Sequence, residues 1–412
     1  MAIPQPTQRV ADYENMGLGM FVHWGLYSQL EKDAWGFWIY QYDMAEYKKA
    51  MDTFTAEDFD AEKLVLTAKN AGCRYIVLTT RHHEGFSLYD TCGLNAFDVM
   101  HAPAGRDLIR EYVDACNKHG IVPFFYHTTL DWYHPDYREN FDKYLGYLRD
   151  SVEVLCKNYG KIGGFWFDGN WDDWNADWKE GELYAVIRKY QPDAIIINNS
   201  GLRRIAVATH PEIDAVVFEQ GHPKPLEREG APKYLAAELC LPMNDHWGYV
   251  GTDWNYKSPK TIIEALCDAR RVGANFLVNV SPDGQGGIVP MQSLLMQTVG
   301  DWMKLYGEAI YRGRPCAAKS SGRNYALRSD DALYLMFYDL GEGGNKNVTV
   351  NADYFGWQAF DRVTDEIVSV EWMDNGEKLD FIQQGEMLSV GATGYPFGTH
   401  TLVRVAKAII KK

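Results

Sequence analysis

The sequence predicts an α/β fold class: a (β/α)8 barrel of the TIM-barrel type over residues 1–315, followed by an antiparallel β-sandwich over residues 316–412. Three observations carry the prediction. From about residue 19 to 282, short and nearly continuous apolar runs alternate with amphipathic helical stretches, the signature of strands buried on both faces of a parallel sheet. The polar side chains of those runs gather at their C-terminal ends, where a barrel keeps its active site. Beyond residue 315 the pattern changes to short alternating runs divided by Gly, Asp and Asn turns, which is how an antiparallel sandwich reads.

In chain order the apolar runs are GMFVHWG (19–25), YIVLTTRHH (75–83), IVPFFYH (121–127), GGFWFDG (163–169), AIIINNS (194–200), AVVFEQG (215–221) and NFLVNVSPDG (275–284). An eighth strand is expected near NDHWGYV (244–250). Between the second and third runs, Leu108, Ile109, Tyr112, Val113 and Cys116 share one helical face, and Gly120 stops it. Between the third and fourth, Phe141, Tyr144, Leu145, Leu148, Val152, Leu155 and Tyr159 do the same ahead of Gly160. A doubly wound open sheet is the alternative for such alternation. After a helix over 293–311 come NYALRSDDALYLMFYD (324–339), KNVTVN (346–351), DEIVSVEWMD (365–374), KLDFIQQGEMLSV (378–390) and THTLVRVAKA (399–408). These hold no charged constellation suited to catalysis, so the C-terminal part reads as an accessory domain.

Composition narrows the function. With 46% hydrophobic and 24% charged residues over 412 positions, the chain is an ordinary globular protein. A formal charge of −15 argues against nucleic acid and against an anionic membrane surface as partners, since both need clustered Lys and Arg. Seven dispersed cysteines (73, 92, 116, 156, 240, 267, 316) with no C-x-x-C pair read as free thiols in a reducing compartment. The N-terminal stretch shows no basic segment followed by an apolar core, which predicts a cytoplasmic protein. The charged surface permits a monomer and is compatible with a dimer, so the sequence leaves the oligomeric state open.

The residues at the run ends are His23 and Trp24, His82 and His83, Tyr126 and His127, Asp168, Asn198 and Asn199, Glu219, and Asn279. Without a lysine or a Gly-rich phosphate cradle, Schiff-base and phosphate chemistry fit poorly. Carboxylates at strand ends among imidazoles and indoles suit glycosidic cleavage: one attacks the sugar carbon, and the other protonates the leaving oxygen. Aromatic faces cover the apolar side of a sugar while His and Asn bind its hydroxyls. Other readings stay open at this level. Asp168 also suits a helix cap; His23 suits a satisfied core histidine; Trp24, Trp38, Trp132 and Trp166 suit core packing. His82 and His83 make poor joint metal ligands, because neighbours on a strand face opposite ways and no third ligand stands at a recognised spacing.

One succession is specific: MFVHWGLYS (20–28), AGCRYIVLTTRHHEGFSLYDT (71–91), DLIREYVDACNKHGIVPFFYHTTLDW (107–132), GGFWFDGNW (163–171), NDHWGY (244–249) and GANFLVNVSPDGQGGIVP (273–290), running into GDWMKLYGEAIYRG (300–313). It resembles the α-L-fucosidases of glycoside hydrolase family 29 over about residues 10–315, and the double histidine followed by Glu-Gly-Phe is its most specific part. The resemblance implies exo-acting, retaining hydrolysis of terminal α-L-fucose from glycans through a covalent fucosyl-enzyme, with no metal and no cofactor. It implies Asp168 as nucleophile and His23, His82, His83, Tyr126, Trp166 and Trp38 as sugar contacts, with Trp24 beside His23 in the same set. Phe37 stands where relatives often carry Glu before that Trp38. For the acid/base, Glu219 is favoured because it ends a strand, and Glu238, matching a family glutamate, is the alternative and a further substrate contact. A related exo-glycosidase on a fucose-like sugar such as galactose, or a silent fucose-binding protein, are the rival readings. Fucose linkage preference depends on variable loops such as 33–52, 170–180 and 220–236.

Overall fold

Eight parallel strands close into a barrel in the computed structural model, which describes residues 2–343, 349–350 and 356–411. In order they are β1 (Leu18–Val22), β2 (Tyr75–Arg81), β3 (Val122–Thr128), β4 (Gly164–Asp168), β5 (Ile195–Asn199), β6 (Ala215–Glu219), β7 (Ala236–Pro242) and β8 (Ala274–Val280). Closure comes from β8 pairing in parallel with β1. Inside the barrel, Phe21, Val77, Phe124, Ile197 and Val217 form the packed centre. Tyr13, from the helix Gln8–Met16 that leads into β1, joins them at the end where the strands begin.

The predicted helices form where periodicity placed them. Leu108–His119 buries all five expected side chains and ends on Gly120 at φ 71°, a left-handed conformation that costs glycine nothing. Phe141–Asn158 buries Tyr144, Leu145, Leu148, Val152 and Leu155, with Asn140 accepting from the Lys143 amide as its cap. The seventh strand differs from expectation. It is Ala236–Pro242, and the segment 244–250 is a loop. Glu238 interrupts what is otherwise an apolar run, and only its buried partners, described below, allow a carboxyl there. The connections 200–214 and 220–235 hold no helix among the described residues, so extended loops rather than helices follow β5 and β6.

In the C-terminal part, strands Arg314–Ser320, Tyr325–Arg328, Ala332–Tyr338, Gly356–Asp361, Ile367–Trp372, Phe381–Gln384, Met387–Ala392 and Val403–Ile410 form one antiparallel eight-stranded sheet, and a small three-stranded sheet accompanies it. Leu335, Phe337, Phe360, Trp372, Leu388 and Val390 meet in its core. Of the run 346–351, all but 349–350 lies outside the described residues. The chain groups into two compact units, Met1–Lys257 with Asn275–Gln297, and Ser258–Ala274 with Thr298–Lys412. All seven cysteines are free. Among the described residues no helix is long and apolar enough to cross a membrane.

Candidate active site

At the C-terminal mouth of the barrel lies a cavity of about 600 Å³ lined by His23, His82, Tyr126, Trp166, Asp168 and Glu219, together with loop residues. Asp168 ends β4. Gly169 follows at φ 124°, where an added Cβ would lie 2.6 Å from the Leu130 backbone nitrogen, so only glycine allows the chain to turn away here. The cap reading of Asp168 does not apply, because the short turn Asn170–Asp172 has Gly169 at its N-cap and no side-chain capping bond.

Instead the Asp168 carboxylate collects donors. Tyr126 Oη donates to Oδ2 at 3.0 Å, Trp171 Nε1 to Oδ1 at 2.6 Å and Asn199 Nδ2 to Oδ1 at 3.2 Å, while His83 Nε2 stands 3.5 Å from Oδ2. A buried carboxylate costs several kcal/mol unless compensated. Burial alone would raise the Asp168 pKa, but the His83 imidazole and the Trp171 and Tyr126 donors more than offset it and hold the group below its ordinary value.

Glu219, at the end of β6, is the opposite case. Burial, and then the charge of Asp168, push its pKa up to about 7. The two carboxyl groups share one amide: Asn199 Nδ2 lies 3.2 Å from Asp168 Oδ1 and 2.8 Å from Glu219 Oε2, which caps the separation of those oxygens at 6.0 Å. The amide orientation is set by the Gly201 N–H, which donates to Asn199 Oδ1 at 3.1 Å. One ionised and one protonated carboxyl, held apart in pKa by their environments, is the pattern of a nucleophile beside a general acid.

Three imidazoles stand at the site, His23 and His82 in the cavity wall and His83 behind Asp168. His23 Nδ1 is 2.7 Å from Asn279 Oδ1, and Asn279 Nδ2 donates to the Trp247 carbonyl, so the imidazole Nδ1–H is the donor and Nε2 is left as an acceptor. Burial lowers the His23 pKa to about 4, keeping the ring neutral. His83 Nδ1 is 2.7 Å from Thr128 Oγ1, whose own proton goes to the Leu130 carbonyl. His82 stacks on Tyr126 with centroids 5.2 Å apart, and Tyr126 stacks in turn on Trp166 at 5.6 Å.

Asp168, Glu219, His23, His82, Tyr126 and Trp166 therefore meet at one cavity, with His83 in contact through Asp168. Three sequence expectations are corrected. Trp24 is 1% exposed, stacks on Phe59 and donates to the Asp283 carbonyl, because the chain turns inward after His23; it is a core residue. Trp38 is 53% exposed and lies on Trp132, since the single helical turn Gly36–Ile39 carries it outward. Glu238 is fully buried below the mouth, accepting from Tyr13 and Tyr75 at 2.5 Å each and from Trp166 Nε1 at 2.8 Å, and does not line the cavity.

Trp35, Trp171, Trp247 and Asn199 also line the cavity. Trp35 lines the cavity, which Trp38 does not, and stacks on Trp171 at 5.6 Å. Asn199 was visible as a strand end, but its bridging role depends on a neighbour twenty residues away in sequence. Trp247 sits in the segment read as a strand, where no local signal marks it. Among the described residues no group of three His, Cys, Asp or Glu side chains is placed to hold a metal ion.

Comparison with known proteins places the chain in a family. The family model described as alpha-L-fucosidase matches residues 5–308. Tissue alpha-L-fucosidase of Rattus norvegicus is 26% identical over 372 residues, covering 82% of this chain and 78% of that protein. The Homo sapiens tissue enzyme is 26% identical over 376 residues, covering 82% and 77%. Among solved structures, alpha-L-fucosidase isoenzyme 1 from Paenibacillus thiaminolyticus superposes with a TM-score of 0.84 at 28% identity, covering 98% of this chain and 99% of that one. The chain belongs to the α-L-fucosidase family, glycoside hydrolase family 29.

Proposed function

We propose that this protein is an exo-acting, retaining α-L-fucosidase in which Asp168 is the nucleophile and Glu219 the acid/base. The observation that carries the reading is the shared Asn199 amide, which keeps the two carboxylate oxygens within 6.0 Å. Retaining sites hold their carboxyl groups about 5–5.5 Å apart, whereas inverting sites leave about 6.5–9.5 Å for a water.

In the first step an Asp168 oxygen attacks the anomeric carbon of the fucoside. The bond from that carbon to the leaving oxygen breaks, and Glu219 gives its proton to that oxygen. In the second step the Glu219 carboxylate takes a proton from water, the water oxygen bonds to the anomeric carbon, and Asp168 is released with its electron pair. Fucose leaves with its original anomeric configuration. The role of Asn199 is to hold both acids toward one reacting centre, and His23 offers its Nε2 to a sugar hydroxyl.

The test is nitrophenol release from 4-nitrophenyl α-L-fucopyranoside, with the anomer first formed followed by proton NMR. Release of the α-anomer supports the reading; the β-anomer overturns retention, and near-normal turnover in Asp168→Asn overturns the nucleophile. Faster hydrolysis of a β-D-galactoside would replace fucose by a related sugar.

A further inference from the structure

Behind the cavity, Glu84 is buried with no exposed surface, and neither of its carboxyl oxygens makes a well-formed hydrogen bond; the backbone amides of Glu84 and Leu26 only lie near. It follows the two histidines directly on the loop after β2. The fold makes room for it: a Cβ at Gly25 would come within 3.0 Å of Glu84 Oε1. A buried carboxyl with empty valences costs stability, so its retention asks for a role.

His82 supplies one. Of the three imidazoles at the site, His23 and His83 have their Nδ1 atoms engaged, by Asn279 and Thr128. His82 Nδ1 is buried without a hydrogen-bond partner, and Glu84 Oε2 stands 3.8 Å from it. A shift of about 1 Å in either side chain closes that gap to a hydrogen bond. We propose that Glu84 is a positioning residue whose carboxyl, as the hydrogen-bond donor to His82 Nδ1, fixes the ring in the tautomer that carries its proton on Nε2, on the edge open to the sugar.

The charges around the pair agree with this direction. Burial pushes Glu84 up to about 8, with Asp131 adding to the rise and Arg81 opposing it. Burial, then His83 and His23, keep His82 well below its ordinary value. Tyr27 and Tyr47 also face Glu84, and burial raises both phenols. At neutral pH the pair is therefore a carboxylic acid beside a neutral imidazole. His82 then donates to a sugar hydroxyl oxygen where His23 accepts, so the two rings read opposite ends of a hydroxyl pattern.

The inference rests on the fucosidase reading, and its primary measurement is independent of turnover. Imidazole ¹⁵N NMR of the wild-type protein at pH 6, with His82 assigned by a His82→Gln variant, should show His82 protonated at Nε2 and accepting at Nδ1. An Nδ1–H ring overturns the proposal even if fucose is released, while failure to release fucose overturns only the reading above. Glu84→Gln, whose amide also donates, should keep that tautomer and a KM within about threefold of wild type. Glu84→Leu, which cannot donate, should raise KM about tenfold with kcat changed far less, the loss of one hydrogen bond. An unchanged KM in folded Glu84→Leu, or a tenfold KM loss in Glu84→Gln, would also refute it.

Discussion

Glu219 and Glu238 sit on adjacent strands, and the register pairs Glu219 with Cys240 and Val217 with Glu238, so a single layer of side chains separates them. Both carboxyls are raised above their ordinary pKa by burial. Their surroundings differ in kind. Glu238 is enclosed by three donors, Tyr13, Tyr75 and Trp166, so both its oxygens are occupied. Glu219 faces the cavity with one shared amide and a neighbouring charge, so its proton remains available. A buried acid in a barrel is thus a strut or a catalyst according to whether its valences are closed by protein or left to a ligand.

That contrast is testable by substitution. Asp168→Asn should have the largest effect, a fall in kcat of about ten-thousand-fold or more, because an amide cannot serve as the covalent nucleophile proposed above. Glu219→Gln should lower kcat/KM by about 10²–10⁴-fold on fucosides with poor leaving groups and much less on a nitrophenyl fucoside, which needs little proton assistance. Equal losses on both substrates would assign Glu219 a positioning role.

The pH profile sharpens the same point. As the proposed general acid Glu219 would act in its protonated form, so kcat/KM should fall as pH rises through about 7, and this alkaline limb should vanish in Glu219→Gln. Trp171→Phe removes one donor from Asp168. Its pKa should then rise, moving the acid limb upward and lowering kcat/KM about tenfold at acidic pH. Glu238→Gln should have the smallest kinetic effect, within about threefold, with the alkaline limb intact. It should instead cost about 1–3 kcal/mol of stability by leaving a buried donor mismatched, read as a lower melting temperature. Loss of the alkaline limb in Glu238→Gln would exchange the roles of the two glutamates.

Much of this was legible before folding. The helix over 108–119 announced itself by apolar spacing and a terminal glycine, and Asp168 by its place after an apolar run. Trp38 was misplaced because the short helix Gly36–Ile39 leaves it half exposed against Trp132, whereas Trp35, at the N-cap of that helix, lines the cavity. Strand β7 was displaced because Glu238 broke its apolar pattern. That carboxyl is tolerated only through partners 225, 163 and 72 residues away.

By itself the sequence determined the periods, the turns and seven of the eight strand positions, since each depends on residues within a few positions of one another. The tertiary structure alone decided which glutamate reaches the mouth, which tryptophans line the cavity and that one asparagine joins both acids. Barrel closure sets those by bringing distant strands into register, and local periodicity carries no record of the layer in which a side chain will stand.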